Sequence, residues 1–274
     1  MKPGYRRVLS LGAGVQSTTL LMMILKGEIE PVVAAVFADT GSEPEQVYRH
    51  LGWCEEQIKG AFPLYRVSKG NLEQDTLAGV RGEIARAAQA PFYVKSNDGD
   101  GTDTGGMLWR QCTKEYKLEP LRRQTRVIWE QYGRVTVEQV IGISFDERQR
   151  CKESGVKYIV NEYPLVERRI TRHDCLLWMK QNGYPEPAKS ACYFCPYTSN
   201  IRWRDMKRND PATFQRAVTF DLALRQGGKK LPGVTGDCFV HRSFKPLGEV
   251  TFQHEDQIDF QFGMDNECEG LCGV

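Results

Sequence analysis

Ser10-Leu11-Gly12-Ala13-Gly14-Val15-Gln16-Ser17-Thr18 is the stretch on which the reading of the fold turns. Ahead of it, Arg7-Val8-Leu9-Ser10-Leu11 is an apolar run suited to a strand. Behind it, residues 17–26 fit a helix that Gly27 stops. Gly12 and Gly14 between the two let the backbone approach an anion closely, and the N–H groups that open the helix point at it. Ser17 and Thr18 add hydroxyl donors. No Lys follows the last Gly at the required place, so this is not a Walker A loop, and a third Gly is missing for a dinucleotide fingerprint. Taken alone, the stretch also fits a plain tight turn.

Working outward, residues 32–38 form a continuous apolar run suited to a parallel strand buried on both faces. Ser42-Glu43-Pro44-Glu45 has the pattern of a capping box with Pro in the first turn, ahead of a helix striped by Val47, Leu51, Cys54 and Ile58. Residues 64–67 and 136–141 read as further strands, with helices over 72–88 and 114–131 between them. A last helix over 171–182 has Thr171-x-x-Asp174 as its cap and Gly183 as its stop. Residues 96–106, rich in Gly, Asp and Thr, read as a loop. Strand–helix alternation with short connections predicts an α/β fold, a parallel sheet flanked by helices. Past Gly183 the chain turns to Cys, Pro, Trp and basic residues, which predicts a nucleotide-binding domain over 1–185 and a Cys-containing, mostly helical region over 186–274.

With 274 residues, 41% hydrophobic and 26% charged, the composition excludes a collagenous or disordered chain. No apolar run approaches the roughly 18 residues that span a bilayer. The start of the chain shows no signal-peptide pattern, so a cytoplasmic location is the expectation. The net charge of +2 decides little, but its distribution says more. Residues 110–134 carry seven bases against three acids, and 200–230 eight against three, which suits an anionic partner. Residues 249–274 carry seven acids and no Lys or Arg.

The nine cysteines are an odd count, which in a reducing compartment argues against a disulfide framework and for metal or redox roles. Cys54 and Cys175 sit in helical patterns and read as core residues. Cys192-Tyr193-Phe194-Cys195-Pro196 is a Cys-x-x-Cys loop, in which two thiolates grip one metal or cluster; structural zinc is the plainer occupant. Beyond it, Arg202, Trp203, Arg204, Lys207 and Arg208 interleave an aromatic with bases. Such a run suits single-stranded nucleic acid, but an amphipathic helix with its Trp packed inside is the favoured reading.

In chain order these motifs resemble the adenine-nucleotide α-hydrolase superfamily, which includes the PP-loop (N-type) ATP pyrophosphatases and the phosphoadenosine phosphosulfate (PAPS) reductases. The pyrophosphatase loop Ser-Gly-Gly-x-Asp-Ser aligns with Gly12-Ala13-Gly14-Val15-Gln16-Ser17, and Gln16 in place of Asp resembles the reductase branch. Phe37-Ala38-Asp39-Thr40-Gly41 ahead of Pro44-Glu45 is similar to the reductases' Thr-Asp-Thr-Gly…Pro-Glu-Thr. Cys112-x4-Lys117-x2-Pro120-Leu121 resembles Cys-Cys-x-x-x-Lys-x-x-Pro-Leu, with Thr113 in place of the second Cys. Gly142-Ile143-Ser144-Phe145-Asp146-Glu147-Arg148-Gln149-Arg150 resembles Gly-Ile-Arg-x-x-Glu-Ser-x-x-Arg. Pro164-Leu165, Asp174 and Gly183-Tyr184-Pro185 continue the series, so that the resemblance spans about 8–196.

The resemblance implies an adenine nucleotide (ATP, PAPS or adenosine phosphosulfate) held by Ser10, Gly12, Ala13, Gly14, Gln16, Ser17, Thr18, Asp39, Gly142 and Arg150. Residues 12–18, Asp39 and residues 142–150 all follow predicted strands and so converge beyond the carboxyl ends of a parallel sheet. Asp39 would hold Mg²⁺ or the ribose, and Lys117 and Arg150 would neutralise phosphate. It also implies a [4Fe–4S] cluster on Cys112, Cys192 and Cys195, with Cys272, Cys268 or Cys238 as the fourth ligand, against zinc as the alternative. The tail Asn266-Glu267-Cys268-Glu269-Gly270-Leu271-Cys272 resembles the reductases' Glu-Cys-Gly-Leu-His, in which the Cys is the nucleophile; a terminus with incidental thiols is the other reading. Two chemistries follow from the family. One reduces PAPS or adenosine phosphosulfate with a thiol partner such as thioredoxin. The other adenylates a substrate with ATP for sulfur transfer from a sulfur donor to tRNA or DNA. A homodimer is a further expectation, and a non-catalytic zinc-containing nucleic-acid module is the opposing class.

Overall fold

The computed structural model describes residues 4–86, 90–95, 105–226, 231 and 234–252. In chain order the elements are β1 (Tyr5–Ser10), α1 (Val15–Leu25), β2 (Ala34–Asp39), α2 (Glu45–Ile58), β3 (Leu64–Ser68), α3 (Leu72–Arg81), β4 (Tyr93–Lys95) and β5 (Gly105–Met107). A π-helical segment Thr113–Leu118 then runs into α4 (Glu119–Gln131). There follow β6 (Thr136–Ile141), a 3₁₀ segment Phe145–Arg150, β7 (Ile159–Glu162), α5 (Pro164–Glu167), α6 (Arg172–Gln181), α7 (Asn200–Asn209), α8 (Pro211–Gln226) and β8 (Asp237–Phe239). The chain divides into two compact units: residues 4–69 with 113–191, and the described residues of 70–112 with 192–252.

The first unit is built on a five-stranded sheet in the order β3-β2-β1-β6-β7, with every neighbouring pair parallel. Val8 and Leu9 on β1 are fully buried, as a central strand covered on both faces requires. On one face Leu20, Leu21, Val47, Leu51 and Met179 from α1, α2 and α6 pack against Leu9, Phe37 and Val140. On the other, Leu121 and Ile128 of α4 pack against Val8, Val36 and Ile141. This is the expected α/β fold. The strand order reverses between β1 and β6, and open sheets of this kind bind ligands beyond the carboxyl ends of the strands at that reversal.

One strand residue breaks the apolar rule. Arg7, 2% exposed, donates to Glu162 at 2.8 and 2.9 Å and to the backbone oxygen of Glu30, and lies 3.5 Å from Glu138. A guanidinium taken out of water is tolerable only with such complete pairing.

Helix ends differ from expectation where capping chemistry decides them. The Thr171–Asp174 capping box forms as read and opens α6. Ser42-Glu43-Pro44-Glu45 does not cap α2: its N-cap is Pro44, with no side-chain cap, and Ser42 and Glu43 are buried. The helix read over 72–88 ends at Arg81, because Gly82 adopts the left-handed conformation (φ 72°) and closes the last turn on Ala78 and Gly79. Of residues 96–106, those up to 104 lie outside the described residues, while 105 and 106 begin β5.

The second unit holds a three-stranded antiparallel sheet, β5-β4-β8, with α3, α7 and α8. Its core is aromatic: Phe194 stacks on Phe220 with centroids 4.0 Å apart, and Phe92 packs on both. Trp203 is fully buried against Phe214, so α7 is the amphipathic helix that the sequence favoured. Asp221, also fully buried, accepts from the backbone N–H of Val240 and Leu247 and pairs with Arg225 at 2.7 Å.

Candidate functional site

The turn from β1 into α1 has the backbone that an anion cradle needs. Ala13 sits at φ 56°, a left-handed conformation that costs a Cβ-bearing residue roughly 1–2 kcal/mol. Gly14 is the N-cap of α1 and carries no side-chain cap, so the first amides of the helix are not spent on one. The side chains that follow hold this shape. Ser17 Oγ accepts from Gly12 N at 3.1 Å and donates to Gly14 O at 3.3 Å, closing the loop on itself. Ser10 Oγ accepts from Gln139 Nε2 at 2.7 Å; that amide also donates to Val8 O, and its oxygen accepts from Thr125.

Gln16 and Thr18 face neighbouring elements. Gln16, fully buried, donates to Glu147 Oε2 at 3.0 Å and lies 3.4 Å from Ser144 Oγ, while its oxygen accepts from Arg172 at 2.9 Å. Glu147 in turn holds Arg150 at 2.6 Å. Thr18 Oγ1 lies 3.0 Å from His50 Nε2 on α2. The side chains of Gln16, Ser17 and Thr18 thus brace the turn against the 3₁₀ segment, the loop itself and α2. Gly142, which follows β6, completes the cradle: a Cβ there would lie 2.7 Å from Ser17 N and 2.9 Å from Ser17 Cα.

Ser10, Leu11 and Gly12 line a small cavity with Val36, Phe37, Ala38, Leu121, Lys117 and Ser190. Lys117 comes from the π-helical segment, an irregularity that often marks a working site. Its ammonium, 4% exposed, lies 3.4 Å from the Glu43 carboxylate, which Ser190 also approaches at 3.4 Å. The predicted cation is thus brought to the loop together with a buried carboxylate that sequence reading assigned to a cap. Asp39 and Arg150 do not line this cavity. Asp39 ends β2 and accepts from Gly41 N at 2.7 Å and the Tyr48 hydroxyl at 2.8 Å. Burial first, and Asp39 second, push the Tyr48 phenol well above its ordinary range.

His50 was missed, although it stands four residues before Cys54 on the stripe of α2. Its ring stacks on Trp53 at 5.2 Å, its Nε2 is 3.6 Å from Cys54 Sγ, and burial pushes its pKa down to about 4. The folded chain keeps His50 neutral, whereas the unfolded chain protonates it near 6.5. Stability from this source is complete above pH 6.5 and is lost as pH falls toward 4, at most about 3 kcal/mol by linkage. His50→Gln should flatten that part of the acid limb in denaturant melts at neutral pH and near pH 4. An unchanged limb would show that His50 does not titrate this way.

Cys54 and Cys175 are fully buried, as expected, and burial pushes the Cys54 thiol up to about 12. Cys192 and Cys195 sit on one tight turn, with Cys195 N donating to Cys192 O at 2.9 Å. That suits two thiolates on one metal. Among the described residues, no group of three or more His, Cys, Asp or Glu side chains is placed to hold a metal ion. Cys268 and Cys272 lie outside the described residues.

No protein-family model matches the chain, and no curated protein matches it in sequence. Among solved structures, a phosphoadenylyl-sulfate (PAPS) reductase from Candida auris in its phosphate complex is 18% identical, over 68% of this chain and 75% of that one, with a TM-score of 0.41. A U34-tRNA thiolase, NcsA, from Methanococcus maripaludis with its [4Fe-4S] cluster is 15% identical over 91% and 84%, with a TM-score of 0.42. No helix among the described residues is long and apolar enough to cross a membrane.

Proposed function

We propose that the first unit binds an adenine nucleotide through the loop Gly12–Ser17 and that the protein is an enzyme of sulfur chemistry, reducing PAPS or adenosine phosphosulfate to sulfite. The observation that carries the nucleotide reading is the loop itself. An uncapped helix start at a sheet's reversal point, with Gly142 pressed against it and Lys117 in the adjoining cavity, is built to receive phosphate. The reductase reading rests on the motif series and on Cys268 as nucleophile: its thiolate would attack the sulfonyl sulfur, displace the adenosine phosphate, and release sulfite when a second thiol completes a disulfide. Adenylation by ATP ahead of sulfur transfer is the second reading. Ser144 and Arg148 favour it, standing where the reductases keep Arg and Ser.

The Cys192–Cys195 turn supports a metal or cluster at the second unit, with the further ligands to be found; no step is assigned to it. The test is anaerobic preparation followed by incubation with ATP, PAPS and adenosine phosphosulfate, reading pyrophosphate, AMP and sulfite. Sulfite that disappears in Cys268→Ser with nucleotide binding intact supports reduction. Pyrophosphate and AMP from ATP support adenylation instead, and no turnover of any of the three would reject both. Brown protein absorbing broadly near ~400 nm, bleached by Cys192→Ser or Cys195→Ser, indicates a cluster. Colourless protein with about one zinc per chain indicates a structural metal.

A further inference from the structure

Trp109 is 88% exposed. Its place is fixed: the preceding Leu108 donates its N–H to Phe92 O at 2.9 Å, extending the ladder between β4 and β5. An anchored indole left in water is unusual, because Trp is among the side chains that gain most from burial. Next to it, Arg110 lies over the Tyr197 ring, 5.5 Å from its centroid. Further contacts bring a third stretch of chain to the same face of the second unit. His241 Nε2 lies 2.8 Å from Asn200 Oδ1 at the start of α7, and Phe244 fills the space that a side chain at Gly105 would need.

Segments 105–112, 192–204 and 238–248 are thereby joined, with Asp205, Asp237 and Glu249 at their borders. Between them they carry Arg110, Arg202, Arg204, Arg242 and Lys245, of which Arg242 and Lys245 are exposed. A surface with five bases around a presented aromatic has the chemistry of a strand-binding platform, in which bases stack on the ring and phosphates meet the cations. A second copy of the chain would set this face against itself, like charge on like charge. Arg110 and Tyr197 each stand two residues from a candidate ligand, Cys112 and Cys195. From these observations we infer that the second unit carries a docking surface for single-stranded nucleic acid, with Trp109 as its stacking residue and Arg110, Arg242 and Lys245 as phosphate contacts.

The surface does not depend on the nucleotide loop, and both are measured on the same variants. Fluorescence anisotropy of short labelled oligothymidylate and oligouridylate, titrated with the full chain, is the test. Binding should quench tryptophan emission and weaken steeply with salt. Trp109→Ala should weaken it about tenfold or more while Trp109→Phe retains most of it, as stacking requires. Arg242→Gln with Lys245→Gln should reduce affinity and flatten the salt dependence. Affinity for ATP or PAPS should be the same in all these variants and in the wild type. The inference is overturned by absence of oligonucleotide binding at low salt, or by Trp109→Ala binding like the wild type. It is equally overturned if Trp109→Ala instead converts a dimer to a monomer, or abolishes binding to anionic vesicles that the wild type prefers over oligonucleotides.

Discussion

Gly142→Ala is expected to lower nucleotide affinity at the loop by at least about tenfold, with a stability cost of roughly 1–3 kcal/mol, the range for overpacking a tight site. The added Cβ would lie 2.7 Å from Ser17 N, 2.9 Å from Ser17 Cα and 3.1 Å from Gln16 C. All three are backbone atoms, so no side chain can swing aside, and the opening turn of α1 must move. Ser17 N belongs to the opening turn of α1, whose amides are those proposed to receive the nucleotide's phosphate. Displacement is resisted elsewhere, because Gln16 is bonded to Glu147 and Arg172 and Thr18 to His50. Titration calorimetry and a denaturant melt on the same preparation separate the two effects. Equal affinity in Gly142→Ala and the wild type would remove Gly142 from the cradle.

Lys117→Met should destabilise the chain by about 3 kcal/mol or more, the usual result of deleting one member of a buried ion pair. The Glu43 carboxylate, 1% exposed, loses the ammonium 3.4 Å away, and methionine fills the space without replacing the charge. Lys117→Met with Glu43→Gln should recover most of the stability, because the buried charge leaves with its partner. Nucleotide affinity should stay low in both variants, since neither supplies a cation to the cavity beside Ser10 and Gly12. Recovery of both stability and affinity in the double variant would mean that Lys117 serves the fold alone.

The parallel sheet was legible because its strands are apolar runs between helical patterns, and β6 falls on the predicted residues 136–141. The second unit's sheet was not. β4, β5 and β8 are three residues each, too short for an alternation to register, and their pairing joins 93–95 to 237–239 across most of the chain. That long-range pairing is what takes 70–112 into the second unit. Spacing located the loop but could not aim its side chains. Gln16, Ser17 and Thr18 are consecutive on a helix, each turned about 100° from the last by the 3.6-residue period. One therefore meets the 3₁₀ segment, one folds back on Gly12, and one reaches α2. Glu43 and Gln139 carried no local signal of their roles, since their partners Lys117 and Ser10 lie 74 and 129 residues away, and the Thr18 partner of His50 lies 32 residues away.

Whether Gly12–Ser17 holds a nucleotide is tested most directly by calorimetric titration of the full chain with PAPS, adenosine phosphosulfate and ATP, beside the Gly14→Val, Ser17→Ala double variant. Saturable binding of at least one nucleotide by the wild type, and none by the folded double variant, is the expected result, because the valine branch fills the space a phosphate needs and the loop loses the hydroxyl that closes it. A double variant that binds as tightly as the wild type would contradict the assignment of the loop.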